Sequence, residues 1–588
     1  MLIMAASSAA EKAPQLGSKN EGIRVNQMGY LPKDDKKAFL TVTEARTGNW
    51  HIVKASDNTT VYTGSDLGED IGYKSGLYVY ALDFSPFTES GTYYVSGGGS
   101  KSPQFKINSG FNIYRRLLDP TLGFYGYQVC GSAAGRDVVA GFGNCHRGSN
   151  CLQAWGGPEN GANVSTRGIG AYHDADNNPK PVITEGFTAI NLMLADMNYG
   201  SHGIYAGMTH TTINQVKPLL DWINRMWVYD MDPAKRVLYA AKTLTYPDSA
   251  TDLLVACNAD QSSLPAGFRI PEFVARNNTG AGANIAGIAA ATLALGSQYL
   301  VASDPALAAT YKTSAKQIYD YGKSHQKSWR SPQHYDPTEF SKDPAKGWKG
   351  PMALAAAELA RIETDPATKA AYINEGTHWL YGTNGANREA FSCDWTDGWI
   401  PIANYELARV SPSHAAAAKT YLANAINGLG SDKFGAAYGD NENFQWGTVG
   451  ILAHKAIWGI MYNELSGTAT YNSFINRQRN YIFGANPWGC SFVNGAVTSG
   501  TSYSRNCYNS SKKTGWWGEG PADHATIDAQ GFAHAAPGSF DKPNCYYEDS
   551  SRNWVTNEVT IQANAEGFWL LSYYASLGAV APVSPASP

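Results

Sequence analysis

Between residues 22 and 108 apolar and polar positions alternate in short bursts. The runs 23–27, 37–42, 50–54, 60–63, 77–83, 91–95 and 104–107 are parted by Gly, Pro, Asp and Ser. A period of two marks strands with one buried face, and seven such strands predict an immunoglobulin-like β-sandwich. Gly97-Gly98-Gly99-Ser100 reads as a hairpin tip. After Asn108-Ser109 the apolar period becomes helical. Helices are predicted near 111–127, 184–199, 211–229, 281–302, 305–325, 350–363, 366–381, 400–409, 412–428, 445–465, 470–483 and 558–576, with long loops rich in Gly, Asn and Trp between them. Twelve helices without intervening strands predict an (α/α)6 barrel whose loops gather at one end. No repeat of fixed period points to a solenoid. The chain therefore reads as mainly α: a disordered segment 1–20, a sandwich 21–108, a barrel 109–580 and a tail 581–588.

Composition narrows the function. A chain of 588 residues exceeds one ordinary core. Net charge is −4 and no basic patch stands out, which excludes nucleic acid as a partner. No apolar run spans a membrane, and the first residues lack the charged start of a leader peptide. Charged residues are 16% and aromatics 12%, including 16 Trp and 35 Tyr. That mixture suits large cores, and equally a groove whose ring faces stack on sugars. None of the cysteines 130, 145, 151, 257, 393, 490, 507 and 545 lies in a Cys-x-x-Cys pair, which argues against zinc. The gaps 145/151 and 490/507 suit loop-closing disulfides. An even cysteine count, with sequons at Asn58, Asn163, Asn277 and Asn509, points to a secreted or periplasmic protein.

Two acidic segments carry candidate chemistry. In the first, a polar, aromatic loop from Asn544 runs through Asp549 to Asn557-Glu558, then into an apolar helix with Phe568, Leu571 and Tyr574 on one face. A carboxyl at that junction is half shielded from water, which raises its pKa and suits a proton donor. The competing reading is a glutamate that only favours a helix N-terminus. The second is Tyr172-His173-Asp174-Ala175-Asp176-Asn177-Asn178-Pro179-Lys180. Two neighbouring aspartates can activate a water as general base; a calcium loop or a polar turn would use the same residues. His173 can orient these carboxylates or be structural. Trp446 opens an apolar helix and can be groove or core, whereas Trp516 and Trp517 in a Gly-rich loop read as sugar-stacking rings. His524 and His534 are candidate substrate contacts, and Asp394, Trp395 and Asp397 read as groove lining.

Several segments, in order along the chain, resemble glycoside hydrolases of family 9. They are Glu21-Gly22-Ile23-Arg24-Val25-Asn26-Gln27-Met28-Gly29-Tyr30-Leu31-Pro32, like the opening of the family's immunoglobulin-like domain, Cys145-His146 with Tyr172-His173-Asp174-Ala175, Phe444-Gln445-Trp446-Gly447, Tyr481 to Val493, and Asp549 to Ala565. The resemblance implies an inverting hydrolase of β-1,4-linked glucan. Glu558 would be the acid, and Asp174 or Asp176 the base. Tyr172, His173, Asn177, Trp446, Trp516, Trp517, His524 and Asp549 would contact substrate. It implies a polysaccharide or oligosaccharide partner, a monomer, no cofactor or metal for catalysis, and room for a structural calcium. Two departures stand out. Asn177 occupies the position of the family's catalytic base, and the family's Pro-His-His-Arg motif is missing after Val493, where Tyr503, Arg505, Trp516-Trp517-Gly518-Glu519 and Asp523-His524 stand. The alternatives are an exo-acting glucosaminidase on chito-oligosaccharides and a catalytically impaired carbohydrate-binding protein.

Overall fold

The structure is a computed structural model that describes residues 21–130, 170–175, 180–233, 236–242, 271–273, 282–328, 347–382, 398–497, 513–531, 536–550 and 553–579. The expected disordered start, the tail, Asp176, Asn177, His534, Asp394, Trp395 and Asp397 lie outside these residues.

Nine strands build the first unit: β1 (Gly22–Arg24), β2 (Gly29–Tyr30), β3 (Lys37–Val42), β4 (Trp50–Lys54), β5 (Thr60–Gly64), β6 (Tyr78–Asp83), β7 (Gly91–Gly97), β8 (Ser100–Lys101) and β9 (Phe105–Ile107). One sheet has the order β1-β3-β6, and the other β2-β9-β7-β4-β5 with β8 paired to β7. Their inward residues, among them Tyr30, Leu40, Ile52, Phe84 and Phe105, form one core. Gly98 and Gly99 turn β7 into β8 with φ of 56° and 82°, a left-handed pair that glycine adopts without strain.

The helices sort by burial into two rings. Six are apolar on nearly every side: α4 (Val182–Tyr199), α6 (Ala283–Leu300), α8 (Lys349–Ile362), α10 (Trp399–Val410), α12 (Thr448–Ser466) and α16 (Ile561–Ser576). A helix without a polar face must be wrapped by protein. These six pack in chain order, and α16 closes the ring against α4. The outer ring is α5 (Thr212–Arg225), α7 (Pro305–Lys323), α9 (Pro366–Tyr381), α11 (Ala415–Asn427) and α13 (Asn472–Ile482), with the short α1 (Gly110–Tyr114), α2 (Leu118–Gly123) and α3 (Tyr125–Gln128) completing it. Inner helices touch closely where side chains vanish. A Cβ on Gly287 of α6 would sit 2.6 Å from the Met352 nitrogen of α8.

Two expectations are corrected. The helix expected over 111–127 is broken by a tighter turn at Arg115–Leu117 and again at Phe124, while Pro120 sits in the first turn of α2, where its missing N–H costs little. Strands do intervene: β10 (Lys180–Pro181), β11 (Trp227–Val228), β12 (Val237–Lys242) and β13 (Pro271–Phe273) make a small antiparallel sheet. In addition, Cys490 is a buried free thiol, so the 490/507 disulfide is absent.

The sandwich docks on the barrel through the opening motif. Gln27 N–H donates to the Phe483 carbonyl at 3.0 Å. Arg24 Nε reaches the Pro487 carbonyl at 3.2 Å, and Gln27 Nε2 the Gly489 carbonyl at 2.8 Å. Asn26 Nδ2 binds Asn480 Oδ1 at 2.9 Å and the Tyr114 hydroxyl at 3.0 Å. Beside them Arg479 donates to Asp34 Oδ2 at 2.7 Å and lies over the Tyr574 ring at 4.4 Å. The carboxylate and the rings push this buried guanidinium's pKa up against the cost of desolvation. Removing one partner of a buried pair strands the other's charge. Asp34→Ala should therefore cost about 3–5 kcal/mol, read as a large fall in Tm. Lys217→Ala, in the exposed Lys217–Asp304 pair, should cost about 1 kcal/mol or less. Equal, small changes in both would contradict the interface.

Candidate active site

Three short stretches hydrogen-bond side by side at one end of the barrel. Gly518 N–H donates to the Phe492 carbonyl at 3.1 Å, and Val493 bridges Trp517. Gly518 in turn bridges Val559, and Glu519 N–H donates to the Glu558 carbonyl at 3.0 Å. The Phe483–Cys490 turn, against which the sandwich docks, leads directly into the first stretch. Asn486 ties that turn with bonds of 2.7 Å to the carbonyls of Tyr481 and Cys490.

Glu558 ends the short α15 (Trp554–Asn557), with its N–H donating to the Trp554 carbonyl at 2.9 Å. Two residues on, Thr560 caps α16 through the Ala563 N–H. The glutamate thus precedes the long helix rather than opening it. Its loop is fixed from below: Thr556 Oγ1 donates to the Glu548 carbonyl at 2.8 Å, and Asn557 Nδ2 to the Asn553 carbonyl at 3.1 Å. Glu558 is buried, with 8% of its surface exposed.

Asp174 comes from the other end of the barrel sequence. Tyr172 bridges Val129, His173 N–H donates to the Gln128 carbonyl at 2.8 Å, and Gln128 Nε2 reaches the carbonyls of His173 and Ala175. The Asp174 carbonyl then accepts the Ile561 N–H at 2.9 Å. That single bond brings the aspartate loop against the segment three residues beyond Glu558.

A third buried carboxyl shares the place. Glu519 is 3% exposed, and its pKa is pushed up to about 8, first by burial and then by the charge of Asp174, while a bond from Thr560 opposes the rise. Its carbonyl accepts the Val449 N–H at 2.9 Å at the start of α12. Trp446, 36% exposed, stands one residue before the left-handed Gly447, the cap of α12.

Six of the expected contact residues are engaged within the protein. Trp517 is fully buried, with Phe483 against it and α16 bared by Gly567, where a Cβ would come within 2.2 Å of the indole. Trp516 is buried beside Phe124 and Tyr127, each 5.2 Å away, and lines a cavity of about 740 Å³ with His210 and Lys217. The Tyr172 hydroxyl is used by the Gln215 carbonyl at 3.0 Å. His173 is fully buried against Cys130, and that burial lowers its pKa; Cys130 Sγ also takes Lys180 Nζ at 2.9 Å. His524 opens the short α14 (His524–Asp528), with its Nδ1 3.2 Å from Asp528 and its ring edge-on to Tyr546. Burial raises the pKa values of Cys490 and Tyr547, and the charge of buried Asp549 adds to both. Glu519 was quoted in the sequence without a role; a Glu in a Gly-rich loop next to two tryptophans was the available signal. Among the described residues no group of three or more His, Cys, Asp or Glu side chains converges as a metal site.

An (α/α)6 barrel with a docked β-sandwich and facing acidic segments at one end defines a glycosidase-type architecture. The model of glycosyl hydrolase family 9 matches residues 114–571, and that of the cellulase N-terminal Ig-like domain matches residues 18–102; the chain belongs to glycosyl hydrolase family 9. Endoglucanase C of Cellulomonas fimi is 24% identical over 96% of this chain, but the chain spans only 53% of that protein. Cellulose 1,4-beta-cellobiosidase of Acetivibrio thermocellus is 23% identical over 96% of this chain and 68% of its own length. Among solved structures, the family 9 endoglucanase J30 aligns at a TM-score of 0.72 with 20% identity, covering 93% of this chain and 99% of that one. AaCel9A with cellobiose-like isofagomine aligns at 0.70 with 18% identity, covering 94% and 100%.

Gly447 has φ of 83°, and a Cβ there would stand 3.0 Å from Glu519 Oε2. Gly447→Ala should cost about 1–2 kcal/mol through its left-handed backbone, seen as a lower Tm, and should reduce turnover by crowding Glu519. An unchanged Tm would mean that this cap relaxes freely.

Proposed function

We propose that the protein hydrolyses a β-1,4-linked glucan, cellulose or mixed-linkage glucan, with inversion at the anomeric carbon. The observation that carries this is the Ile561–Asp174 bond of 2.9 Å, which joins the two acidic segments across the barrel. Family membership and the names of the relatives support the substrate class.

In this reading Glu558 protonates the glycosidic oxygen as its bond to the anomeric carbon breaks. Asp174, or Asp176 beside it, takes a proton from the water that attacks the opposite face. Inverting enzymes hold such carboxyls about 6.5–9.5 Å apart to admit the water. The reaction needs two carboxyls and water, and no cofactor. Trp446 stacks on a sugar ring at the groove wall, and the sandwich buttresses the barrel without binding substrate. The protein acts as a monomer, outside the cytoplasm. No described helix is long and apolar enough to cross a membrane.

Reducing-sugar release from cellulose, lichenan and chitosan, measured side by side, tests the proposal. Release from the glucans, with the first product of a β-linked oligosaccharide in the α configuration by NMR, is the expected result. Release from chitosan alone would favour glucosaminidase action, and binding without release a carbohydrate-binding protein. Glu558→Gln should lower kcat by roughly the 10²–10⁴ that a positioned acid contributes. Asp174→Asn and Asp176→Asn identify the base, and full activity in the double variant would remove this loop from the mechanism. If Asn177 marks a lost base, Asn177→Asp should raise the rate.

A further inference from the structure

Cys130 and Lys180 meet beside the aspartate loop, and the proposed hydrolysis uses neither. Cys130, Cys490 and Cys545 are buried free thiols. Among the described residues, Cys130 is the one of the three bonded by an amine, with Lys180 Nζ 2.9 Å from its sulfur. Both partners are held. Lys180 is fully buried, its backbone pairs with Lys242 of β12, and its Nζ also donates to the Gly170 carbonyl at 3.0 Å. The same Nζ lies 5.6 Å from the Trp222 ring. Cys130 N–H donates to the Ala171 carbonyl at 3.0 Å, and the Cys130 carbonyl accepts the Gly170 N–H at 3.3 Å. The His173 side chain bonds the sulfur as well, and burial lowers its pKa, so that ring is neutral near pH 7.

A sulfur is a weak acceptor, so an amine directed at one gains little as a hydrogen bond. What the contact does supply is a nucleophilic nitrogen against an oxidisable sulfur. We propose that Cys130 and Lys180 are a modification site, where a peroxide converts the contact into a reversible sulfur–nitrogen bridge.

The pair shares one proton. With that proton on nitrogen, the sulfur is a thiolate, the form that attacks an oxidant. It takes one oxygen of hydrogen peroxide, the O–O bond breaks, and the departing hydroxide takes a proton from the ammonium to become water. Sulfur is now a sulfenic acid and Nζ a free amine. A sulfenic acid condenses with a nearby nitrogen. The amine lone pair attacks sulfur, the S–O bond breaks, and the oxygen leaves with an amine proton as a second water. Nζ keeps one hydrogen for the Gly170 carbonyl. Cys130 is 2% exposed, so peroxide reaches it as the surrounding chain opens locally. The same burial shields the product from more oxidant. A thiol reductant restores the pair by attack on sulfur.

The bridge closes a ring over 50 positions, which include Asp174 and Asp176. It ties the base of the Val129–Tyr172 pairing that leads into the aspartate loop. Such a link narrows the unfolded ensemble, so the bridged protein gains stability. This holds whichever carboxyl is the catalytic base.

The full chain is reduced, freed of reductant, treated with hydrogen peroxide, unfolded in N-ethylmaleimide, digested and mapped by tandem mass spectrometry. The expected product is the Cys130 peptide joined to the Lys180 peptide, lighter than their sum by two hydrogens. It should vanish when dithiothreitol precedes the alkylation. Tm should rise with peroxide and return with dithiothreitol. In Cys130→Ser, whose hydroxyl still accepts from Nζ, that rise should be absent. In Lys180→Met the sulfur should run on to the sulfinic acid. Three results in the wild-type map overturn the bridge: Cys130 alkylated throughout, Cys130 as sulfinic acid with Lys180 unmodified, or Cys130 paired with another cysteine. That map decides by itself if either variant fails to fold.

Discussion

A guanidinium sealed away from water fixes how the two units meet. Arg479 is fully buried, and such a charge is tolerated only where its partners are in place beforehand. Asp34 supplies the countercharge, the Asn480 side chain accepts at 2.8 Å, and the Tyr114 and Tyr574 rings lie 5.5 and 4.4 Å from it. These partners come from the sandwich, from α13 itself, from the first helix and from the last. Sliding the sandwich by one residue would leave the cation unpaired, so the docking has one register. The bonds from Asn26 and Gln27 then transmit that register to the turn at Phe483, and through Phe492 to the stretches carrying Glu519 and Glu558. The β-domain sits far from Asp174 in sequence, yet it braces the platform on which the acidic groups stand.

The barrel supplies the opposite condition, a low-dielectric wall. Six helices buried on every side surround the loop end, and the carboxyls there are shielded from water. Glu185 of α4, fully buried near Asp174 and Lys180, has its pKa driven well up by desolvation. Glu519 follows the same rule in milder form. The architecture thus concentrates acids where ionisation is disfavoured, which is what proton donation near neutrality requires.

How much of this was legible in the sequence depended on how local each cause was. The inner helices announced themselves because all-round apolar runs such as 182–195 and 283–297 leave no strand reading at that length. The starts of the outer helices α7 and α9 have local causes too: Asp304 before Pro305 and Asp365 before Pro366 are N-caps that can be read directly. Glu558 was legible as a loop-to-helix junction. Trp516 and Trp517 were not, because their surroundings are made by Phe124, Phe483 and the bare surface at Gly567, all distant in sequence. Likewise nothing near Glu519 reveals that it faces Glu558; only strand register does.

The connection between Asp34 and Arg479 spans 445 positions, with a consequence for how the chain is made. At roughly 5–20 residues per second, a ribosome needs about 20–90 s to emit that stretch. Throughout that interval the finished sandwich holds out Phe39 and Tyr73, whose rings later lie 4.8 and 5.0 Å from Phe434. Of the two units, the one that emerges earlier is the later to find its seat. A nascent chain therefore carries a sticky apolar face for most of its synthesis, and fragments stopped before Phe434 carry it permanently.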